Sequence, residues 1–121
     1  MDNKEFGKLL EMRTRKFAIT IIRLSASIPE ISEGKVVKNQ ITKSGTSIGA
    51  NYREANRARS KADFGNKITI CEGEANETLY WLEIIAELNW IDNQRIMPVI
   101  DEANELLAIF TSIHHKLNQV L

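Results

Sequence analysis

Residues 93–119 read NQRIMPVIDEANELLAIFTSIHHKLNQ. Ile96, Val99, Ala103, Leu106, Phe110, Ile113 and Leu117 follow one another at intervals of three or four, and Val120 continues the series. A helix turns once in about 3.6 residues, so this spacing gathers the apolar side chains on one face. The pattern predicts a helix from about Asn93 to Gln119, with Asp92 as its N-cap. Pro98 lies more than a turn inside, so it bends the helix or moves its stable start towards Met97.

Three further stretches carry the same period. Lys4 to Ile28 aligns Phe6, Leu10, Phe17, Ile21, Leu24 and Ile28, with Leu9 and Ala18 beside them. Pro29 ends that helix, because a residue before proline is pushed out of the helical region. After the break Pro29–Gly34, Lys35 to Ala58 aligns Val37, Ile41, Ser44, Ile48, Asn51 or Tyr52, and Ala55. Lys61 to Asn89 aligns Phe64, Ile68, Cys71, Ala75, Leu79, Leu82, Ile85 or Ala86, and Leu88, behind Ser60 as N-cap and Asp63 in the first turn. Four long helices joined by short turns predict an all-α, antiparallel up-down-up-down four-helix bundle, one domain over residues 1–121. The small-residue run Ser44–Ala50 (SGTSIGA) interrupts neither period nor length. A glycine inside a helix costs about 1 kcal/mol against alanine, so Gly45 and Gly49 predict a closely approaching neighbour helix. Gly65 and Gly73 suggest the same in the third helix.

Composition agrees with a packed helical domain. The 121 residues are 43% apolar and 26% charged, which argues against disorder. Six glycines and two prolines are too few for the many turns of an all-β chain. A single cysteine, Cys71, excludes an internal disulfide and any cysteine-rich zinc module. It reads as a small core residue, with its thiol free in a reducing, cytoplasmic setting. The run Phe17–Ile28 contains Arg23 and is too short to cross a bilayer, so no membrane partner is expected.

Net charge is zero, but the halves differ. Residues 1–67 hold 14 Lys/Arg against 7 Asp/Glu, and residues 68–121 hold 2 against 9. Two readings follow. Basic and acidic helices pair across the bundle and between subunits, or the basic residues form a face for phosphates, which needs several cations on one surface. The candidates for such a face are Arg13, Arg15, Lys16, Arg53, Arg57, Arg59 and Lys61. Tyr52 either stacks on a base or packs within the bundle.

Catalytic and metal signatures are missing. A di-iron bundle needs Glu-x-x-His on two helices, but Thr111 and Ser112 stand three residues before His114 and His115. Both histidines read as surface or edge residues. Glu72 reads as a structural polar contact opposite Asn51, Asn76 or Arg53. Gly45 and Gly49 lack the Lys-Ser/Thr of a phosphate-cradling loop. No enzyme activity, cofactor or metal is expected.

Three stretches together carry a family resemblance: SGTSIGANYREA at 44–55, ICEGEANET at 70–78 and YWL at 80–82. The Pro29 turn and Glu33 fit as well. The chain resembles the bacterial four helix bundle protein family, also called the 23S rRNA intervening-sequence or S23 ribosomal protein family, along nearly its whole length. The resemblance implies an antiparallel bundle that assembles as a homo-oligomer, with a pentamer the first choice. A related branch, the accessory variability protein of diversity-generating retroelements, implies nucleic acid and a reverse transcriptase as partners. Asn51 and Glu72–Glu77 match the motif positions, where packing and interface roles are implied. The expectation is a non-enzymatic accessory protein that binds structured RNA, or a protein-only scaffold.

Overall fold

A computed structural model describes residues 1–119; Val120, the end of the last apolar stripe, lies outside them. Four helices make up the described chain: α1 (Asn3–Ser25), α2 (Ser32–Ala55), α3 (Lys61–Glu87) and α4 (Asn93–Gln119). Each packs on its neighbour in sequence, and α1 closes the bundle by a lighter contact with α4. The diagonal pairs α1/α3 and α2/α4 therefore turn their outer faces in opposite directions.

The apolar stripes meet as their spacing requires. Phe17, Ile21, Ile41, Ile48, Ile68, Leu82, Ile85, Ile96, Leu106 and Phe110 are buried in one core. The small residues of α2 explain how closely α1 lies. A Cβ on Gly45 would sit 2.8 Å from Ile21 Cγ2, and one on Gly49 would sit 3.1 Å from Thr14 Oγ1. Gly65 and Gly73 do not repeat this role. A Cβ on Gly65 would reach Leu117 at an ordinary 3.9 Å, and one on Gly73 would meet nothing within 4 Å. The polar groups in the core are satisfied within it: Thr78 Oγ1 on α3 donates to Ser44 Oγ on α2 at 2.9 Å, and Thr14 Oγ1 to the Leu10 carbonyl of its own helix at 2.9 Å.

Helix ends differ from the expected ones where turns have their own hydrogen bonds. α1 stops at Ser25 instead of Ile28, because the Ser27 and Ile28 amides bond to Leu24 and Ser25 in a tight turn ahead of Pro29. α2 starts at Ser32 instead of Lys35. Gly34 is a first-turn residue whose missing side chain makes room for the Pro29 carbonyl. α2 also ends at Ala55, short of Ala58. α3 ends at Glu87 instead of Asn89. Asn89 takes a left-handed φ of 54°, and the Trp90 amide returns to the Ile85 carbonyl at 3.2 Å. Asparagine tolerates that conformation, and the bond closes a Schellman turn. Ser60 caps α3 as expected, accepting from the Asp63 amide at 3.0 Å. α4 runs unbroken through Pro98. Among the described residues, no helix is long and apolar enough to cross a membrane.

Candidate nucleic-acid interface

The seven candidate cations fall into three groups. Arg13 turns towards α4. Its Nε and Nη2 donate to Glu102 at 2.7 and 2.6 Å, and Nη2 also donates to Glu105 at 2.8 Å. A guanidinium gripped by two carboxylates is a strut between α1 and α4, so Arg13 leaves the set of free cations. Lys16 lies one residue round the helix from Arg15, on the outer surface of α1 and away from α2.

Of the other five, two wall one groove, two line a second hollow, and Arg57 stands between Arg53 and Arg59 in the chain. Arg15 of α1 and Arg53 of α2 wall one open groove of about 420 Å³. Its floor is small because α1 and α2 are close: Ala18, Thr46, Gly49 and Ala50 line it, with Met12 on the lip. Arg57 lies one turn beyond Arg53. It donates to the Arg53 carbonyl at 3.1 Å and stands 3.8 Å from Glu11. Arg59 and Lys61 follow around the α2–α3 turn, where they line a second hollow with Asn56, Ser60 and Phe64. Among the described residues, no ion pair reaches Arg15, Arg53, Arg59 or Lys61. Glu11 brings one carboxylate into the groove, held by Asn56 at 2.8 Å.

Tyr52 does not face this surface. It is 2% exposed and meets Phe110 edge-on, with ring centroids 5.6 Å apart. Burial also raises the pKa of its hydroxyl. The groove floor escaped the sequence reading, which treated the small residues only as packing. Thr46, Ala50, Arg53 and Arg57 recur at intervals of four and three, so an outer polar stripe was there to be found.

Glu72 and Cys71 serve the bundle. Glu72 pairs with α4, not with Asn51, Asn76 or Arg53. His114 Nδ1 lies 2.7 Å from its Oε1, and Thr111 donates to its Oε2 at 2.8 Å. His114 is thus tied to α3, and its hydrogen bond, with that from Thr111, lowers the Glu72 pKa. Cys71 is buried, its thiol 3.5 Å from the Ile48 carbonyl and pushed up to about 12 by burial. Among the described residues, no cluster of three metal-ligating side chains forms.

The match to known proteins follows the same fold. The family model of the 23S rRNA-intervening sequence protein matches residues 10–112. The chain belongs to that family. A solved member of the S23 ribosomal protein family, a protein with unknown function from Bacteroides thetaiotaomicron VPI-5482, is similar over 86% of this chain and 96% of its own. The two share 38% identity and superpose with a TM-score of 0.79. No curated protein matches at a significant level. The match to the 23S rRNA-intervening sequence protein family spans the central motif stretches at 44–55, 70–78 and 80–82.

Proposed function

We propose that this chain is a non-enzymatic, cytoplasmic accessory protein that holds the phosphate backbone of structured RNA on its α1–α2 face. The observation that carries this reading is Arg15 and Arg53. They come from different helices, wall the same groove, and have no carboxylate partner among the described residues. Arg57, Arg59 and Lys61 extend the cationic track past the α2–α3 turn. The groove is open and cationic at its walls, as a backbone-tracking surface must be, and Tyr52 is buried away from it. Binding of this kind is set by charge rather than base sequence.

The test is RNA affinity against salt. Wild type is expected to bind at low salt and weaken steeply as salt rises, by counterion release. R53E/R57E/R59E is expected to lose binding, whereas R13Q keeps it within about twofold because that guanidinium is occupied by Glu102 and Glu105. Wild-type protein that binds no RNA at low salt would overturn the reading.

The charge split favours a second element, self-assembly into a homo-oligomer. A pentamer is the first choice, and in a protein-only scaffold this would be the whole function.

A further inference from the structure

The apolar stripes close tightly at one end of the bundle and stay open at the other. Where α1 ends and α4 begins, Ile28, Ile91 and Ile96 are at most 6% exposed. Where α1 begins and α4 ends, Phe6 is 41% exposed, and Phe64, Ile113 and Leu117 are only partly buried. The difference lies between α1 and α4, the neighbouring pair in lightest contact. Their last polar tie towards this end is Arg13 with Glu102 and Glu105. Among the described residues, no side-chain hydrogen bond or ion pair joins α1 before Arg13 to α4 beyond Glu105.

The result is a cleft of about 780 Å³ to which all four helices contribute. That volume falls in the range of sites for small organic ligands, about 300–1,000 Å³. Its walls are Phe6 of α1, Phe64 of α3 and the α4 stripe Ile109, Ile113 and Leu117. The buried Tyr52 closes its inner end. On α4 the lining runs from Ala108 to Leu117, about 13 Å at 1.5 Å per residue. The exposed Asn3, Ser112 and Lys116 line its mouth. Lys116 is the one cation among the lining residues, and none of them is Asp or Glu. α4 carries no Asp or Glu from Leu106 to Gln119, and among the described residues no carboxylate pairs with Lys116.

We propose that this cleft binds a single-chain amphiphile with a carboxylate head, the chemistry of a fatty acid. An elongated apolar trough suits an alkyl chain, which has no polar group to leave unpaired against phenylalanine and isoleucine. One cation at the mouth matches one negative charge, and Asn3 and Ser112 add hydrogen-bond donors for the second carboxylate oxygen. A cationic head would meet Lys116 with no carboxylate beside it. The inference is independent of the RNA reading, because the cleft shares no cation with the α1–α2 groove.

The experiment is a titration of isotope-labelled protein with decanoate below its micelle concentration, followed by amide NMR shifts. Saturable shifts are expected at Phe6, Phe64 and the residues around Ile113, and not across the chain. K116E is expected to weaken decanoate by roughly fivefold, the upper range for an exposed charge pair, and to leave 1-decanol unchanged. A108F, which puts a ring into the trough from an exposed position, is expected to lose both ligands with helix content unchanged by circular dichroism. Decyltrimethylammonium is expected to bind more weakly than either. No saturable shift, or shifts spread over the whole surface, would overturn the proposal. Equal binding of the anionic and cationic amphiphiles would overturn it as well. If decanoate left the cleft unmoved and A108F lowered the mass seen by light scattering, the cleft would belong to a second copy instead.

Discussion

Gly45 and Gly65 occupy equally regular helices, yet their hydrogen atoms do different work. At Gly45 an added methyl would meet Ile21 side-chain carbons at 2.8 and 2.9 Å, in a layer where Ile21 is itself fully buried. Nothing there can move without opening the α1–α2 contact. Gly45→Ala is therefore expected to destabilise the fold by about 1–3 kcal/mol, the usual cost of overpacking. At Gly65 the methyl would find Leu117 at 3.9 Å, an ordinary contact. Gly65→Ala is expected to stabilise by up to about 1 kcal/mol, through helix propensity alone. Urea unfolding of the two variants beside wild type checks both signs. Equal effects would mean that the close α1–α2 approach is not the reason for the small residues of α2.

Between elements, the bundle is tied by polar contacts at α1–α4 and α3–α4 that periodicity does not reveal. Arg13 reaches Glu102 and Glu105 across 89 and 92 residues, and Glu72 reaches Thr111 and His114 across 39 and 42. The stripes, the Ser60 cap and a close neighbour at the small residues of α2 were legible in the sequence, because they depend on spacing and residue size; that the neighbour is α1 came from the fold. The polar partners were not, because they depend on how far each helix is rotated about its axis. The exact ends of α1 and α3 were missed for a related reason. They are set by turn hydrogen bonds and by the left-handed Asn89, not by apolar periodicity. The α3–α4 tie has a pH signature. The pKa of Glu72 is lowered in the fold from an ordinary value of 4.5 by its bonds to His114 and Thr111. Its contribution is thus present above that ordinary value and is lost as pH falls through the lowered one. Since both partners are partly exposed, Glu72→Gln is expected to cost about 0.5–1 kcal/mol at pH near 6. The gap from wild type is expected to shrink on acidification below about pH 4. Urea titrations at the two pH values measure it, and a pH-independent gap would assign the loss to packing.

At the scale of the whole molecule, a neutral chain keeps two strongly charged halves on separate helices. The split was visible in the sequence, but its meaning required the fold. Folding uses Arg13 and Glu72 for internal ties, collects Arg15 and Arg53 around a groove, and leaves Lys16 and Arg23 diagonally across from Glu77 and Glu87. If copies assemble as proposed above, folding and assembly are linked, and stability must depend on protein concentration. Going from a concentration near the dissociation constant to about a hundred times above it adds roughly 2–3 kcal/mol. For a domain of this size that corresponds to a rise in Tm of roughly 10 °C. Salt screens attraction between the basic and acidic halves of neighbouring copies, so the rise is expected to be smaller at high ionic strength. Differential scanning calorimetry over a dilution series, at low and high salt, reads this directly. A flat wild-type series would show that folding owes nothing to a second copy.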